Sequence, residues 1–433
     1  MLRTVDLTTI EKDYRAHVPR AALDVAGALD AVRVVCDEVR ARGAGALAEY
    51  SERFDGVVPS SFRVPRQVLE EAAARLDPEL RKAFEESIRR RRYVAETLEL
   101  DADPSPAVLA EGARVGLRNV PVERVGLYVP GGLAPLASSV IMNVVPAQVA
   151  GVREIAVASP PRAASGGWPH PNILALCHLL GVGEVYAVGG AQAIAMFAHG
   201  VPALCDPVAM VTGPGNIYVV AAKRLLRGIV GIDSEAGPTE IAIIADSTAN
   251  PAYVAADLIS QAEHDPMAAS VLITDSRDLA GSVVAELETQ VAATKHRDRI
   301  RTALTGQQSA VLLVRDLNQA VAVADAYAAE HLEIHTRDAA GVAARIRNAG
   351  AVFVGDHSPV SLGDYSAGST HVLPTAGCAC HGSGLTVRSF MRSVHVIDYS
   401  AQALAGIADG IECFALAEDL PGHAAAIAIR GSR

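Results

Sequence analysis

Two polar residues near the end of a predicted helix have the spacing of ligands for a divalent cation. Gln261 and His264 lie three residues apart in the string SQAEHD. On a helix this spacing puts both side chains on one face, from which they can reach a single point. A neutral imidazole with an oxygen ligand suits Zn²⁺ or a similar ion. Polar residues are common at helix ends, so a capping or surface role is the alternative that spacing alone favours.

Glu330 and His331 stand where a predicted Ala-rich helix ends and a predicted strand begins. Histidine titrates near neutrality and is the commonest general base. Adjacent residues do not share a helix face, so we expect the two side chains to serve different steps of a reaction. A histidine favoured by the helix dipole is the structural alternative, and spacing alone supports it better.

Two further acid and histidine pairs lie toward the end of the chain. Asp364 and His371 are seven residues apart on a glycine-punctuated loop, where they could ligate a metal or contact a substrate. Glu418 and His423 are five residues apart in a predicted C-terminal helix. Without further context, these last two are expected to be surface residues.

Three glycine turns follow predicted strands, at 128–132, 189–192 and 213–216. Ligands of open α/β sheets bind at the carboxyl ends of strands, and glycines there let the backbone approach a phosphate. Such turns also serve chain geometry alone, so three of them make a nucleotide site about as probable as a structural role. There is no G-x-G-x-x-G fingerprint, so a dinucleotide would bind without it.

Strands and helices alternate around these residues in two series. The first series has predicted strands at 125–129, 154–159, 185–188 and 208–212, and the second has them at 241–245, 271–274, 310–314, 332–336 and 351–354. This alternation indicates an α/β fold with parallel sheets in two domains. The first 110 residues and the last 45 are predicted to be mainly helical.

Composition excludes several classes of protein. The 433 residues are half apolar and carry 38 basic against 49 acidic side chains, a formal charge of −11. A chain this apolar buries a large core, and an acidic one is a poor binder of nucleic acid. No apolar run approaches the roughly 18 residues of a membrane span, and the N-terminus lacks the apolar region of a secretion signal. Six scattered cysteines are typical of reduced thiols, which predicts a cytoplasmic protein.

Eight strings together resemble the histidinol dehydrogenase family. They occur in the family order and cover about 300 residues. The strings are YVPGG (128–132), VGGAQAIA (188–195), TGPGNIYV (212–219), AGPTE (236–240), SQAEHD (260–265), EHLEI (330–334), GDYSAGSTHVLPT (363–375) and AEDLPGH (417–423).

The resemblance implies an enzyme that oxidises L-histidinol to L-histidine through L-histidinal, with two NAD⁺ and one Zn²⁺ per chain. The positions that match the zinc ligands are Gln261, His264, Asp364 and His423. Those that match the acid/base pair are Glu330 and His331. The expected substrate contacts are Thr239, Gln261, His264, His331, Asp364, His371, Glu418 and His423, and the expected NAD contacts are Tyr128, Gln192 and Asn216.

The resemblance also implies an organisation. Two Rossmann-like α/β domains are expected, one from 26–127 with 238–380 on the zinc and substrate side, and one from 128–237 on the NAD side. A helical arm at 1–25 would precede them. A helical tail at 381–433 would be exchanged in a homodimer, so that Glu418 and His423 reach the site of the partner subunit.

Two positions depart from the family pattern. Thr239 stands where many members have serine and keeps the hydroxyl, and Ser369-Thr370 replaces a commoner pair that ends in asparagine.

Two other functions compete with this interpretation. A cysteine-dependent aldehyde dehydrogenase also takes aldehydes to acids with NAD, but it needs an activated thiolate, and no cysteine lies in a matching string. A binding protein that has lost catalysis is disfavoured by the intact acid/base and ligand positions.

Overall fold

The computed structural model describes residues 1–21, 24–131, 135–235 and 237–431. Gly132 of the first glycine turn and Ala236 of the string AGPTE lie outside these ranges. The chain divides into two compact units. The first comprises Met1–Glu99 with Glu123–Phe390, and the second comprises Leu100–Val122 with Met391–Arg433.

The strands alternate with helices as the sequence predicted. The strands are β1 Arg3–Asp6, β2 Ala107–Ala110, β3 Ala113–Pro121, β4 Arg124–Tyr128, β5 Glu154–Ser159, β6 Glu184–Ala187, β7 Met210–Thr212, β8 Gly231–Ile232, β9 Glu240–Ala245, β10 Ala269–Thr274, β11 Ala310–Leu313, β12 His331–His335, β13 Ala351–Val354 and β14 Met391–Tyr399.

Helices connect most of these strands. They are α1 Val25–Arg42, α2 Ala44–Tyr50, α3 Arg66–Ala74, α4 Pro78–Val94, α5 Ser138–Ala150, α6 Pro171–Leu179, α7 Gly190–His199, α8 Ile217–Leu226, α9 Pro251–Ala262, α10 Arg277–Ala293, α11 Arg297–Thr305, α12 Leu317–Tyr327, α13 Ala339–Ala343, α14 Val360–Tyr365, α15 Ala401–Ala405, α16 Ala408–Ala417 and α17 Pro421–Gly431. Among the described residues, no helix has the length and apolarity needed to cross a bilayer.

A six-stranded parallel sheet in the first unit has the order β1-β11-β10-β9-β12-β13. Strands β9 and β10 are buried along their whole length, which explains their nearly unbroken apolar sequences. Residues of α9, α10 and α11 join the apolar core on one face, and residues of α12 join the core on the other. The sheet therefore has helices on both faces and holds β12 firmly between β9 and β13.

A five-stranded parallel sheet in the same unit has the order β6-β5-β4-β7-β8. Its core includes buried residues of α1, α7 and α8. Helix α1 contributes because its apolar residues recur every three or four positions and form one buried stripe. The predicted domain boundaries grouped residues 26–127 with the six-stranded sheet, whereas α1 packs against the five-stranded sheet. The division of the chain into a zinc domain and an NAD domain stays a prediction.

The N-terminal arm differs from the prediction. Residues 1–25 were expected to be helical, but β1 pairs in parallel with β11. Helical geometry in the described part of this segment is limited to the turn Tyr14–Ala16 and the first residue of α1. Four residues are too few for periodicity to separate a strand from a helix, and the pairing with a strand 300 residues away decides the outcome.

The second unit contains the antiparallel sheet β14-β3-β2 and helices α15, α16 and α17. The tail at 381–433 was expected to be helical, and for Met391–Tyr399 this was wrong. These nine residues pair with β3 from Met391 opposite Pro121 to Tyr399 opposite Ala113. Their many β-branched and aromatic side chains suit a strand, and the long partner β3 provides the hydrogen bonds.

Candidate active site

Polar side chains of the first unit gather at the amino ends of β9 and β12. Thr239 directly precedes β9, Glu330 directly precedes β12, and His331 is the first residue of β12. The two strands are parallel neighbours, with His331 opposite Ile241, so their amino ends lie side by side. Gln261 lies in the last turn of α9, which returns to the same end of the sheet. The cluster is therefore opposite the carboxyl ends, where open α/β sheets commonly bind ligands.

Thr239 links Glu330 to Gln261. Its hydroxyl donates to Glu330 Oε2 at 2.5 Å and accepts a hydrogen bond from Gln261 Nε2. Because Gln261 uses its nitrogen here, its Oε1 is left buried with no hydrogen-bond partner among the described residues. An unpartnered buried amide oxygen is unfavourable, so this atom is suited to a ligand that the chain itself does not supply.

Glu330 is a buried carboxyl group. Burial raises its pKa to about 8, the nearby Asp364 carboxylate acts in the same direction, and hydrogen bonds from Thr239 and the Glu240 N–H act against the rise. The Glu240 bond to Glu330 Oε2 is 2.9 Å long. A carboxyl group with this pKa can exchange a proton near neutral pH, which is what an acid/base catalyst requires.

One ring nitrogen of His331 has a hydrogen-bond partner, and the other has none among the described residues. Its Nδ1 lies 3.3 Å from the carbonyl oxygen of Glu240, an acceptor that favours the tautomer with the proton on Nδ1. Its Nε2 is buried, has no hydrogen-bond partner among the described residues, and lies 4.0 Å from Asp364 Oδ1. Burial lowers the pKa of His331, so the ring is neutral at pH 7 with Nε2 available as a base.

His264, Asp364 and His371 complete the group in the first unit. His264 Nδ1 lies 3.0 Å from the carbonyl oxygen of Ser260, which favours a proton on Nδ1 and leaves the lone pair of Nε2 available. Burial lowers the pKa of His371, and electrostatic interactions with Asp364, His331 and His264 also affect it, so these groups share one environment.

Sequence reasoning missed a partner of His371. The Nε2 of this histidine lies 3.0 Å from the hydroxyl oxygen of Ser138, the first residue of α5. A serine that opens a helix carries no catalytic signal in the sequence, since it is typical of helix starts generally.

The three predicted NAD residues lie at the end of a strand of the five-stranded sheet or at the start of a helix that follows one, with Gln192 in the first turn of α7. Tyr128 ends β4, and its hydroxyl accepts a hydrogen bond of 3.1 Å from the Gly190 N–H. Gln192 is buried, and neither of its side-chain polar atoms has a partner among the described residues. Asn216 caps α8 by accepting hydrogen bonds from the Tyr218 and Val219 N–H groups, so only its amide nitrogen stays free for a ligand.

Glycine is required at the turn that joins β7 to α8. Gly213 has a φ of +115°, and a Cβ there would lie 2.0 Å from the carbonyl oxygen of Tyr128. The turn therefore brings two strand ends into close approach.

Glu418 and His423 belong to the second unit. Glu418 follows the end of α16, His423 lies in α17, and both are exposed. In the first unit, contacts join five of the predicted site residues: Thr239, Gln261, Glu330, His331 and Asp364. His371 and His264 are near enough for electrostatic interactions, since Asp364 and His264 affect the pKa of His371 and His264 also affects the pKa of Glu330.

Comparison with known proteins gives one consistent result. A family model described as histidinol dehydrogenase matches residues 18–431. A histidinol dehydrogenase from Cutibacterium acnes is 67% identical over 439 residues, covering all of both chains. One from Thermobifida fusca is 61% identical over 430 residues, covering 99% of this chain and 98% of the other. The crystal structure of histidinol dehydrogenase from Elizabethkingia anophelis superposes with a TM-score of 0.92 at 31% identity, covering 99% of this chain and 98% of that chain.

Proposed function

Because this chain belongs to the histidinol dehydrogenase family, we propose that Glu330 and His331 are its catalytic acid/base pair. The chain is an NAD-dependent oxidoreductase of histidine biosynthesis, which converts L-histidinol to L-histidine through L-histidinal with the help of zinc. Burial raises the pKa of Glu330 and lowers that of His331, so the two side chains suit different steps of that reaction.

One observation carries the assignment. Two buried polar atoms at the amino ends of β9 and β12, Gln261 Oε1 and His331 Nε2, have no hydrogen-bond partner among the described residues. Buried polar atoms are nearly always satisfied, so both point to ligands from outside the chain. An amide oxygen suits a metal ion, and a neutral imidazole nitrogen suits a proton on the substrate.

We propose that Gln261, His264, Asp364 and His423 of the partner subunit hold one Zn²⁺ per chain. The donors fit this ion, since Gln261 Oε1 is free and the contact of His264 Nδ1 leaves its Nε2 free. When bound, zinc would fix the imidazole and amine of histidinol so that the carbinol is held in place.

His331 acts in the first oxidation. Its Nε2 takes the hydroxyl proton of histidinol while the hydride leaves the carbinol carbon, which gives histidinal. When bound, NAD⁺ would supply the hydride acceptor for this oxidation and for the next. The neutral state of His331 at pH 7 supports this role, because burial lowers its pKa.

Glu330 acts between the two oxidations. It takes a proton from the water that adds to the aldehyde carbon, while protonated His331 gives its proton to the aldehyde oxygen and becomes neutral again. The hydrated aldehyde then loses its hydride, and His331 Nε2 accepts the hydroxyl proton. Glu330 Oε2 lies 3.6 Å from His331 Nδ1, so the two side chains lie next to each other. Thr239 and His371 of this chain, together with Glu418 of the partner subunit, would contact the substrate.

Tyr128, Gln192 and Asn216 are proposed to bind NAD. They lie at a strand end or at the starts of the helices that follow strands of the five-stranded sheet, which supports an NAD domain at 128–237. The two free amide atoms of Gln192 are suited to a carboxamide or ribose hydroxyl.

A homodimer is typical of this family, and we propose that the tail at 381–433 is exchanged in it. The second unit has little core of its own, since Ala415 and Ala424 are the buried residues in the described part of 401–433. It also exposes large apolar side chains, among them Ile397, Phe414 and Ile429. Exposed apolar patches of this kind mark protein interfaces.

A cytoplasmic location is proposed from the cysteines, all six of which are unpaired. Cell fractionation with antibody detection tests it, and recovery of the enzyme outside the cytoplasmic fraction would contradict it.

The experiment that tests the function is NADH formation on addition of L-histidinol, with and without a chelator. We expect two NADH per histidinol, loss of activity after chelation and recovery with Zn²⁺. Full activity in metal-free protein would refute the proposed zinc site.

A further inference from the structure

A second group of titratable side chains lies along β12, beyond the proposed site. Successive strand residues point to opposite faces, so His331, Glu333 and His335 line one face of β12. Glu333 and His335 are buried, and Asp257 of α9 and Asp356 approach them. We call Asp257, Glu333, His335 and Asp356 the β12 cluster.

His335 is the centre of this cluster. Its Nε2 lies 3.2 Å from Glu333 Oε2 and 3.7 Å from Asp257 Oδ2, and its Nδ1 lies 3.3 Å from Asp356 Oδ1. Neither lysine nor arginine pairs with Glu333 or Asp257 in the ion pairs of the described residues. Burying carboxylates with only an imidazole as counter-charge is unfavourable unless hydrogen bonds satisfy their oxygens.

The second carboxylate oxygen of Glu333 forms a hydrogen bond with the start of α14. Glu333 Oε1 accepts a hydrogen bond of 2.6 Å from the N–H of Val360, the first residue of α14. Asp364 lies four residues further along this short helix. One buried carboxylate therefore connects β12 to the start of the helix that carries a proposed zinc ligand.

The same cluster reaches α9. Asp257 lies one helical turn before Gln261, on the helix that precedes His264. Three elements thus meet at the β12 cluster, and each carries part of the proposed site: α9 carries Gln261, β12 carries His331, and α14 carries Asp364.

We propose that Glu333, with His335 and Asp257, positions the zinc ligands and the catalytic histidine by locking α9, β12 and α14 to one another. This inference rests on the proposed roles of Gln261, His331 and Asp364. Glu333 is a positioning residue, since it acts through the elements that it joins.

A metal ion bound by the cluster itself is the competing explanation. Ligand atoms of Asp257, Glu333 and His335 lie within 4.8 Å of one another. However, no side-chain atom of these three residues is among the buried atoms that lack a hydrogen-bond partner in the described part of the chain. Both ring nitrogens of His335 and both carboxylate oxygens of Glu333 thus have partners within 3.3 Å, whereas Gln261 Oε1 and His331 Nε2 have none among the described residues.

The test compares Glu333→Ala and Glu333→Gln in the full-length enzyme. Outer contacts that orient metal ligands affect metal affinity by about 10- to 100-fold, so we expect Glu333→Ala to weaken zinc binding and lower kcat by about that factor. Glu333→Gln keeps an oxygen for the Val360 N–H and should recover most of both. The KM for NAD should stay unchanged, because the proposed NAD residues belong to the other sheet. Zinc affinity is measured by competition with a chelator.

Asp246→Asn is the matched control. Asp246 also accepts a backbone hydrogen bond, of 2.9 Å, from the Arg337 N–H. Its own N–H donates to the carbonyl oxygen of His335, but its carboxylate is held by Thr248 and Arg337 rather than by the side chains of the β12 cluster. Its variant should leave zinc affinity and kcat unchanged. If Glu333→Ala does not fold, Glu333→Asp replaces it, since this side chain keeps its charge but is too short to reach both His335 and Val360.

Three results would overturn the proposal. Unchanged zinc affinity in folded Glu333→Ala or Glu333→Asp is one, and an equal loss in Asp246→Asn is another. Two metal ions per wild-type chain, of which Glu333→Ala removes one and leaves the other at full affinity, would assign the cluster to metal binding. His264→Asn tests the proposed zinc site independently of Glu333. If that variant retains its zinc, the proposed zinc ligands are wrong, whatever the effect of the Glu333 substitutions.

Discussion

The Thr239 hydroxyl donates a hydrogen bond of 2.5 Å to Glu330 Oε2, and this contact lowers the pKa of a carboxyl group that burial raises to about 8. The same hydroxyl accepts a hydrogen bond from Gln261. One small side chain thus ties the proposed base for water to a proposed zinc ligand, and its removal should disturb both.

Thr239→Val keeps the shape of the side chain and removes the hydroxyl. Hydrogen bonds to charged groups contribute about 1.5–3 kcal/mol, so oxidation of histidinal should slow by about 10- to 100-fold. The pH profile of that step should also move to higher pH, because the pKa of Glu330 loses a hydrogen bond that lowers it. Thr239→Ser keeps the hydroxyl and should behave as the wild type; an equal loss in both variants would contradict the role of the hydroxyl.

Glu330→Gln should separate the two half-reactions. The amide oxygen can still accept from Thr239 and from the Glu240 N–H, so the local structure is kept, but the side chain can no longer take a proton from water. Oxidation of histidinol to histidinal should be largely retained, and oxidation of histidinal should fall. NADH formation is measured separately with each substrate, and equal losses in both would refute the assignment of separate steps to Glu330 and His331.

Metal-free protein should become less stable as pH rises through neutrality. The pKa of Glu330 is raised in the folded protein from 4.5 to about 8, so between these values the folded state keeps a proton that the unfolded state releases. This contribution is fully present below pH 4.5 and is lost by pH 8, with a slope of up to about 1.4 kcal/mol per pH unit. Glu330→Gln lacks the titration and should show a shallower slope in urea unfolding; identical slopes would refute the raised pKa.

Gln192→Ala should weaken NAD binding without affecting histidinol. Both polar side-chain atoms of Gln192 are buried without partners in the described structure. Bound NAD can therefore form hydrogen bonds with Gln192 that the free enzyme does not make within the described chain. Loss of one or two such bonds corresponds to a rise in the KM for NAD of about 5- to 50-fold. Steady-state kinetics with each substrate varied in turn measures this, and a rise confined to the KM for histidinol would contradict it.

Periodicity predicted most of the fold correctly. Strands β9 and β12 were placed within one residue of their observed bounds, because buried parallel strands are short apolar runs bounded by helical patterns. Strand β1 and strand β14 were missed, since one is only four residues long and the other depends on a partner almost 300 residues away. Pairing between strands that are far apart in sequence cannot be predicted from the residue pattern of a short segment.

The candidate site was predictable only in part. The roles of the site residues came from the resemblance. Spacing alone favoured a capping or surface role for Gln261 and His264, and for His331 a histidine stabilised by the helix dipole. Sequence reasoning did not identify Ser138, or the connection from Asp257 through His335 and Glu333 to Val360. These contacts join elements that are far apart in sequence, and no single element shows that its polar residue faces the others.

Exchange of the tail can be tested by mixing two inactive enzymes. His264→Asn impairs the first unit and His423→Asn impairs the tail, so neither homodimer should be active. If the tail of one subunit completes the site of the other, a mixed dimer has one site with both defects and one with neither. Random reassociation then restores about a quarter of wild-type activity, since half the dimers are mixed. Mixing His264→Asn with Asp364→Asn, both in the first unit, should restore nothing. Activity absent from both mixtures, with mixed dimers verified, would show that His423 serves its own chain.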